Sequence, residues 1–258
     1  MKKRAGNLSR LNIAEIPVEA NDLLGFAYVL KLSSKRKTLS LEVTAGSVIV
    51  RAPKGVNRSY LADWVLQRRL WVLEKLAEQH HRESQIITPS YRDGSRLKWL
   101  GVEYPLRILH GAKSSVSLQD DGVLTVTLGA RLASVAVANS DEHHTRNKVF
   151  NWYQSRAREL LIDKTQYYAT ELGVSITAIT LRQTKTKWGH CTREGKIQYN
   201  WLIVLAPEPV VDYLVVHEVC HRVELNHGKR YWKLVESLCP DFQRQRRWLK
   251  DWGHTLKL

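Results

Sequence analysis

The stretch Val215-Val216-His217-Glu218-Val219-Cys220-His221-Arg222-Val223-Glu224-Leu225-Asn226-His227 decides how this chain is read. Upstream, Val210, Val211, Tyr213 and Leu214 extend its apolar run. Pro207 and Pro209 stand where a helix starts, the part of a helix that tolerates proline. The pattern predicts a buried helix from there to about residue 222. Four residues of helix advance ~400°, so His217 and His221 point the same way, one turn apart. Two imidazoles so placed can share one zinc ion, Zn2+, at ~2.0–2.1 Å each. Glu218 follows the first of them, close enough to reach a metal-bound water without being a ligand, which is the position of a general base.

His227 lies six residues beyond His221, a net rotation of ~240° on a continuous helix, which would point it away. The helix must therefore break near residues 224–226. Asn226 and Gly228 tolerate positive φ and are expected to make that turn. The result is three neutral imidazoles and an open position, the pattern of a catalytic zinc site. The metzincin version of this spacing carries Gly at the third intervening position, where this chain has Glu224. Cys220 flanks the metal face and reads as a small buried hydrophobe. Tyr231 is a candidate oxyanion donor, although Tyr231-Trp232 at a helix start reads first as core. His190-Cys191 has no partner pair at zinc spacing and reads as packing or substrate strand.

Working outward, helices are expected over 149–172, 229–238 and 242–252. Strands are expected over 176–182 and 196–205. Further upstream the chain is β-rich. Hairpins are expected at 39–43 with 48–52, turning near 45–47, at 97–101 with 104–109, and at 115–118 with 123–128 across Asp120-Asp121-Gly122. One helix is expected from 60 to about 81, with Leu61, Val65, Leu66, Leu70, Leu73 and Leu76 on its apolar face. Residues 131–147 read as a linker or helix start, and no internal repeat is evident. The fold class is therefore α+β. Residues 1–24 form a variable lead-in, 25–148 a β-rich N-terminal region with a helix, and 149–258 the domain carrying the histidines.

The chain has 258 residues, with 43% hydrophobic and 25% charged, the balance of a globular protein rather than a disordered one. Its 40 Lys plus Arg against 25 Asp plus Glu give a net charge of +15. That charge is spread along the chain and favours polyanionic partners, nucleic acid among them. Three cysteines, a small and odd number, argue against a disulfide framework. No secretory signal and no apolar run long enough for a membrane span are evident, so a cytoplasmic protein without membrane attachment is expected.

The sequence resembles the YgjP-like zinc metallopeptidases, relatives of the SprT-like and WLM metalloproteases. The resemblance is strongest over Lys185-Thr-Lys-Trp-Gly-His-Cys191, Asn200-Trp201, Asp212-Tyr213, His217–His221, Asn226-His227, Tyr231-Trp232 and Cys239-Pro240-Asp241. A weaker match runs through Arg51-Ala-Pro-Lys-Gly55, Trp71 and Leu100-Gly101. The resemblance implies a zincin-like metallopeptidase domain in the C-terminal part, with His217, His221 and His227 on the metal, Glu218 as the catalytic group, and an edge strand within 196–205 or 176–182 that aligns an extended substrate. The family pattern has Ser where this chain has His190. The expected function is hydrolysis of peptide bonds in a protein or peptide substrate by a zinc-activated water, with Glu218 as general base. A second reading is a nucleic-acid-associated zinc protein, or a protease acting on DNA-bound proteins.

Overall fold

A computed structural model describes residues 13–44, 46–129 and 138–258. Part of the lead-in, the tip residue Ala45 of the first expected hairpin and residues 131–137 of the expected linker lie outside them. The fold is mixed α+β, with three small sheets and six α-helices among the described residues. It divides into two compact units, one up to Gln85 and one from Ile86.

In the first unit β1 (Ile13–Val18), β2 (Tyr28–Ser33), β3 (Ser40–Thr44) and β4 (Ser47–Pro53) form one sheet, in the order β1-β2-β4-β3. β3 and β4 make the expected hairpin, and β2 runs parallel to β4. Alternation sets the buried face: Tyr28, Leu30 and Leu32 on β2, Val48, Val50 and Ala52 on β4. Asn57 caps α1 (Arg58–Leu66) by accepting from the Tyr60 amide at 3.1 Å. The single helix expected over 60–81 is two, because α2 (Arg69–Ser84) starts afresh. The Arg68 guanidinium donates to the Trp64 carbonyl at 2.9 Å and lies 3.9 Å over the Trp64 ring, while the Arg68 amide bonds back to Val65. The carbonyl that would have continued the helix is thus taken. Leu70, expected on the apolar face, is 76% exposed beyond this break.

The second unit opens with β5 (Arg96–Trp99), β6 (Val102–Gly111), β7 (Ser115–Leu118) and β8 (Leu124–Gly129), in the order β5-β6-β8-β7. This repeats the wiring of the first sheet: two antiparallel pairs joined by a parallel one. The four-strand plan therefore occurs twice, although the sequence shows no repeat. The long helix α3 (Ala138–Glu171) buries Val149, Tyr153, Ala157 and Leu161 at four-residue spacing, in one core with Leu124, Val126 and Leu128 of β8. β9 (Ala178–Arg182), β10 (Gly189–Cys191) and β11 (Lys196–Asn200) form the third sheet, in the order β10-β11-β9.

The strand expected over 196–205 ends at Asn200. Its side chain accepts from the Leu202 amide at 3.2 Å and donates to the Thr184 carbonyl at 3.0 Å, turning the chain into a buried 3-10 turn, Trp201–Leu205. A continuous apolar run looks alike in either conformation when every residue is buried. α4 (Glu208–Cys220) follows, then α5 (Lys229–Leu238) and α6 (Phe242–Trp252). The start of α4 is pinned by Leu100-Gly101. The Leu100 amide donates to the Val204 carbonyl at 2.7 Å, and Gly101 has φ of 81° and packs so tightly on Pro207 that a Cβ would lie 2.8 Å from its Cα. Lys164 on α3 adds ion pairs to Glu208 and Asp212 at 2.8 and 2.7 Å.

Candidate metal centre

α4 is apolar nearly all round, burying Val210, Val211, Leu214, Val215, Val216 and Val219, so it runs through the core and takes its polar residues with it. That is why Glu218, one residue past His217, is only 4% exposed. The helix stops at Cys220, where the Val223 and Glu224 amides both bond to the Cys220 carbonyl at 3.0 Å. Arg222 fastens the turn through the carbonyls of Ser175 and Arg193 at 3.1 and 2.6 Å. The break comes at Cys220, four residues before the 224–226 expected, and not by positive φ. Gly228 is extended (φ −81°, ψ −176°), and Leu100 is the one non-glycine residue with positive φ among those described. The tightened helix end and the bends at residues 225 and 226 return His227 without left-handed geometry.

His217, His221 and His227 come together, with one ring nitrogen from each within 4.8 Å of the others. Nε2 of His217 and Nε2 of His227 are 3.2 Å apart, close to the ~3.3 Å between two ligands at ~2.0–2.1 Å in a tetrahedron. His221 Nδ1 lies 3.1 Å from the Glu224 carbonyl oxygen. A carbonyl only accepts, so Nδ1 carries the proton and Nε2 presents its lone pair. Burial, helped by the neighbouring His221 and His227, pulls the His217 pKa down to about 3, and burial lowers His221 too. Both rings are therefore neutral at pH 7, the form that binds a metal.

Burial pushes the Glu218 carboxyl up to about 8, with Lys187 pulling it partly back. Gly189 on β10 lies against that carboxylate, where a Cβ would overlap it. β11, within one of the two segments expected to offer an edge, is instead the central strand. β9 and β10 are the edges, and β10 is the one beside Glu218. His190 is exposed on β10, paired in register with Gln198. Cys220 is fully buried with its thiol pushed up to about 12 by burial, as its packing role requires. Tyr231 is fully buried, stacks on His221 with centroids 4.7 Å apart and donates to the His217 carbonyl at 2.9 Å. Its hydroxyl braces the helix. Sequence reasoning missed the Gly189 contact and the Trp232 ring stacked on His227 at 5.6 Å. The signals were the glycine of Trp188-Gly189 and an aromatic one helical turn past Gly228.

Gly189→Ala places its methyl group on the Glu218 carboxyl, so β10 or the carboxyl must shift. The expected loss is ~1–3 kcal/mol in chemical denaturation, typical of overpacking. An unchanged midpoint would contradict the close approach.

A model of the YgjP-like metallopeptidase domain matches residues 37–252. The chain belongs to the YgjP-like family. A metallopeptidase domain implies a metal ion, and the histidine cluster is a group that could hold it. No curated protein matches the chain. Among solved structures, the metallopeptidase zymogen abylysin of Pyrococcus abyssi is similar at 18% identity with a TM-score of 0.33, over 35% of this chain and 93% of that one. No helix among the described residues is long and apolar enough to cross a membrane.

Proposed function

We propose that this YgjP-like protein is a zinc-dependent peptidase. In this reading His217, His221 and His227 hold Zn2+, Glu218 is the general base, and residues 149–258 form a zincin-like catalytic domain. The observation that carries the reading is the meeting of three imidazoles, one nitrogen of each within 4.8 Å of the others, at the end of the helix that carries a buried carboxyl. The donor set suits zinc: all nitrogen, two rings neutral through burial, and His227 on the solvent side. When bound, zinc supplies Lewis acidity and a lowered pKa for water.

The chain's own residues supply the rest. A carboxylate oxygen of Glu218 takes the proton of the attacking water, and the same oxygen delivers it to the leaving amine. The base is the ionised form of Glu218, and burial makes that carboxylate a stronger base than an exposed one. The free edge of β10 pairs with an extended peptide and carries its carbonyl past Glu218. Trp232 and Tyr231 hold the imidazole rings in place by stacking. The three cysteines are free, which suits a reducing cytoplasm.

Chelation is the test. Peptide hydrolysis is expected to vanish when a chelator strips the metal and to return with one equivalent of zinc. Activity that survives metal removal would rule the reading out.

A further inference from the structure

A cavity of about 870 Å³ in the second unit adjoins the site described above. Trp188, Leu202, Tyr213, Leu249 and Leu256 give it an apolar lining. Lys185, Lys187, Arg246, Lys250 and Lys257 also line it, and all five are exposed. No Asp or Glu does. Among the described residues none of the five enters an ion pair, whereas Lys164 of the same unit is paired twice. Like charges around one concavity repel each other, and low-dielectric walls focus their field, so an anion entering it relieves the repulsion.

Two contacts tie this cavity to the histidines. Tyr213 lines it and meets the His217 ring edge-on at 5.8 Å. Arg246 lies 4.7 Å over Trp232, which in turn stacks on His227. Residues 183–188 of the wall lead directly into β10, whose Gly189 touches Glu218. A peptide paired along β10 would therefore send its neighbouring side chains into the cavity.

We propose that the cavity is a subsite for acidic side chains, so that the enzyme prefers peptides with Asp or Glu on one side of the bond it cuts. This rests on the peptidase reading. Concave shape and an aliphatic-aromatic lining suit side chains carrying a charge at the tip. A nucleic-acid strand would call for a track of cations with bases stacked along it.

The test compares zinc-loaded wild type with Lys185→Glu/Lys250→Glu, and with Lys185→Gln/Lys250→Gln as a gentler pair should the first fold poorly. Substrates are peptide libraries matched as Asp/Glu against Asn/Gln. Wild type should favour acidic peptides by ~10-fold or more in kcat/KM, the worth of one good charge pair. The variants should lose that preference and keep their rate on neutral peptides. Equal rates in wild type, or a preference that survives both variants, would overturn the proposal.

Anisotropy of a labelled acidic peptide on the Glu218→Gln protein separates this from the parent reading. If nothing is cleaved but acidic peptide binds and reversal abolishes it, the subsite stands and the peptidase reading falls. With neither cleavage nor binding, both fall. A single-stranded oligonucleotide that binds tighter than the peptide, with steep salt dependence lost on reversal, would overturn the proposal in favour of nucleic acid.

Discussion

Glu218→Gln is expected to lower kcat on peptides by ~10²–10⁴-fold, the usual worth of a positioned general base, while zinc content stays at that of wild type. Gln is nearly isosteric with Glu and keeps the contact with Gly189, so packing survives. Only the ability to take and return a proton is lost. The same substitution has an opposite effect on stability. In the metal-free protein burial raises this carboxyl from 4.5 to about 8, so the folded state holds a proton that the unfolded chain has released. The group's contribution to stability is full below about 4.5 and is lost as pH rises through about 8. Metal-free Glu218→Gln should therefore outlast metal-free wild type above pH 8, by on the order of a few kcal/mol. Stopped turnover in quantitative peptide assays, with raised alkaline stability in denaturation, is a pairing that a merely damaged fold would not give. Full turnover in the variant would remove Glu218 as the base.

His221→Ala is expected to cost the site its metal. Changes around a site typically cost ~10–100-fold in affinity, and loss of one of three protein ligands should cost more than that. His221 also ties the end of α4 to the Glu224 carbonyl, so the return of His227 loosens with it. Titration of zinc against a competing chelator checks this, with Cys220→Ala as the contrast. That thiol is fully buried and its pKa is raised, so its removal should leave affinity within ~3-fold and cost only packing stability. A His221→Ala protein that still binds zinc as wild type does would put the metal elsewhere.

Much of this centre is legible in sequence because helical spacing is a geometric rule. His217 and His221 share a face for any helix through them, and the limits 229–238 and 242–252 follow from amphipathic stripes that the structure reproduces. The need for a break before His227 is likewise arithmetic. What was not legible depends on contacts between distant residues. Arg68 ends a helix through a side-chain bond to Trp64, and its polarity gives no hint of that. Asn200 ends a strand because Thr184, sixteen residues away in sequence, accepts its amide. Gly189 looks like a turn residue until Glu218 is set against it. The return of His227 was expected through left-handed residues, yet Gly228 and Asn226 never leave negative φ. The +15 charge is spread along the chain, but the fold gathers five of its cations around one cavity.

In the proposed centre three imidazoles hold one zinc beside Glu218. X-ray absorption at the zinc edge of the purified, zinc-loaded protein tests it most directly. Three imidazole nitrogens at ~2.0–2.1 Å with a light-atom fourth ligand are expected, and zinc should fall away in His217→Ala, His221→Ala and His227→Ala alike. A sulfur scatterer at ~2.3 Å, pointing to Cys191, Cys220 or Cys239, or a spectrum unchanged by all three substitutions, would contradict the claim.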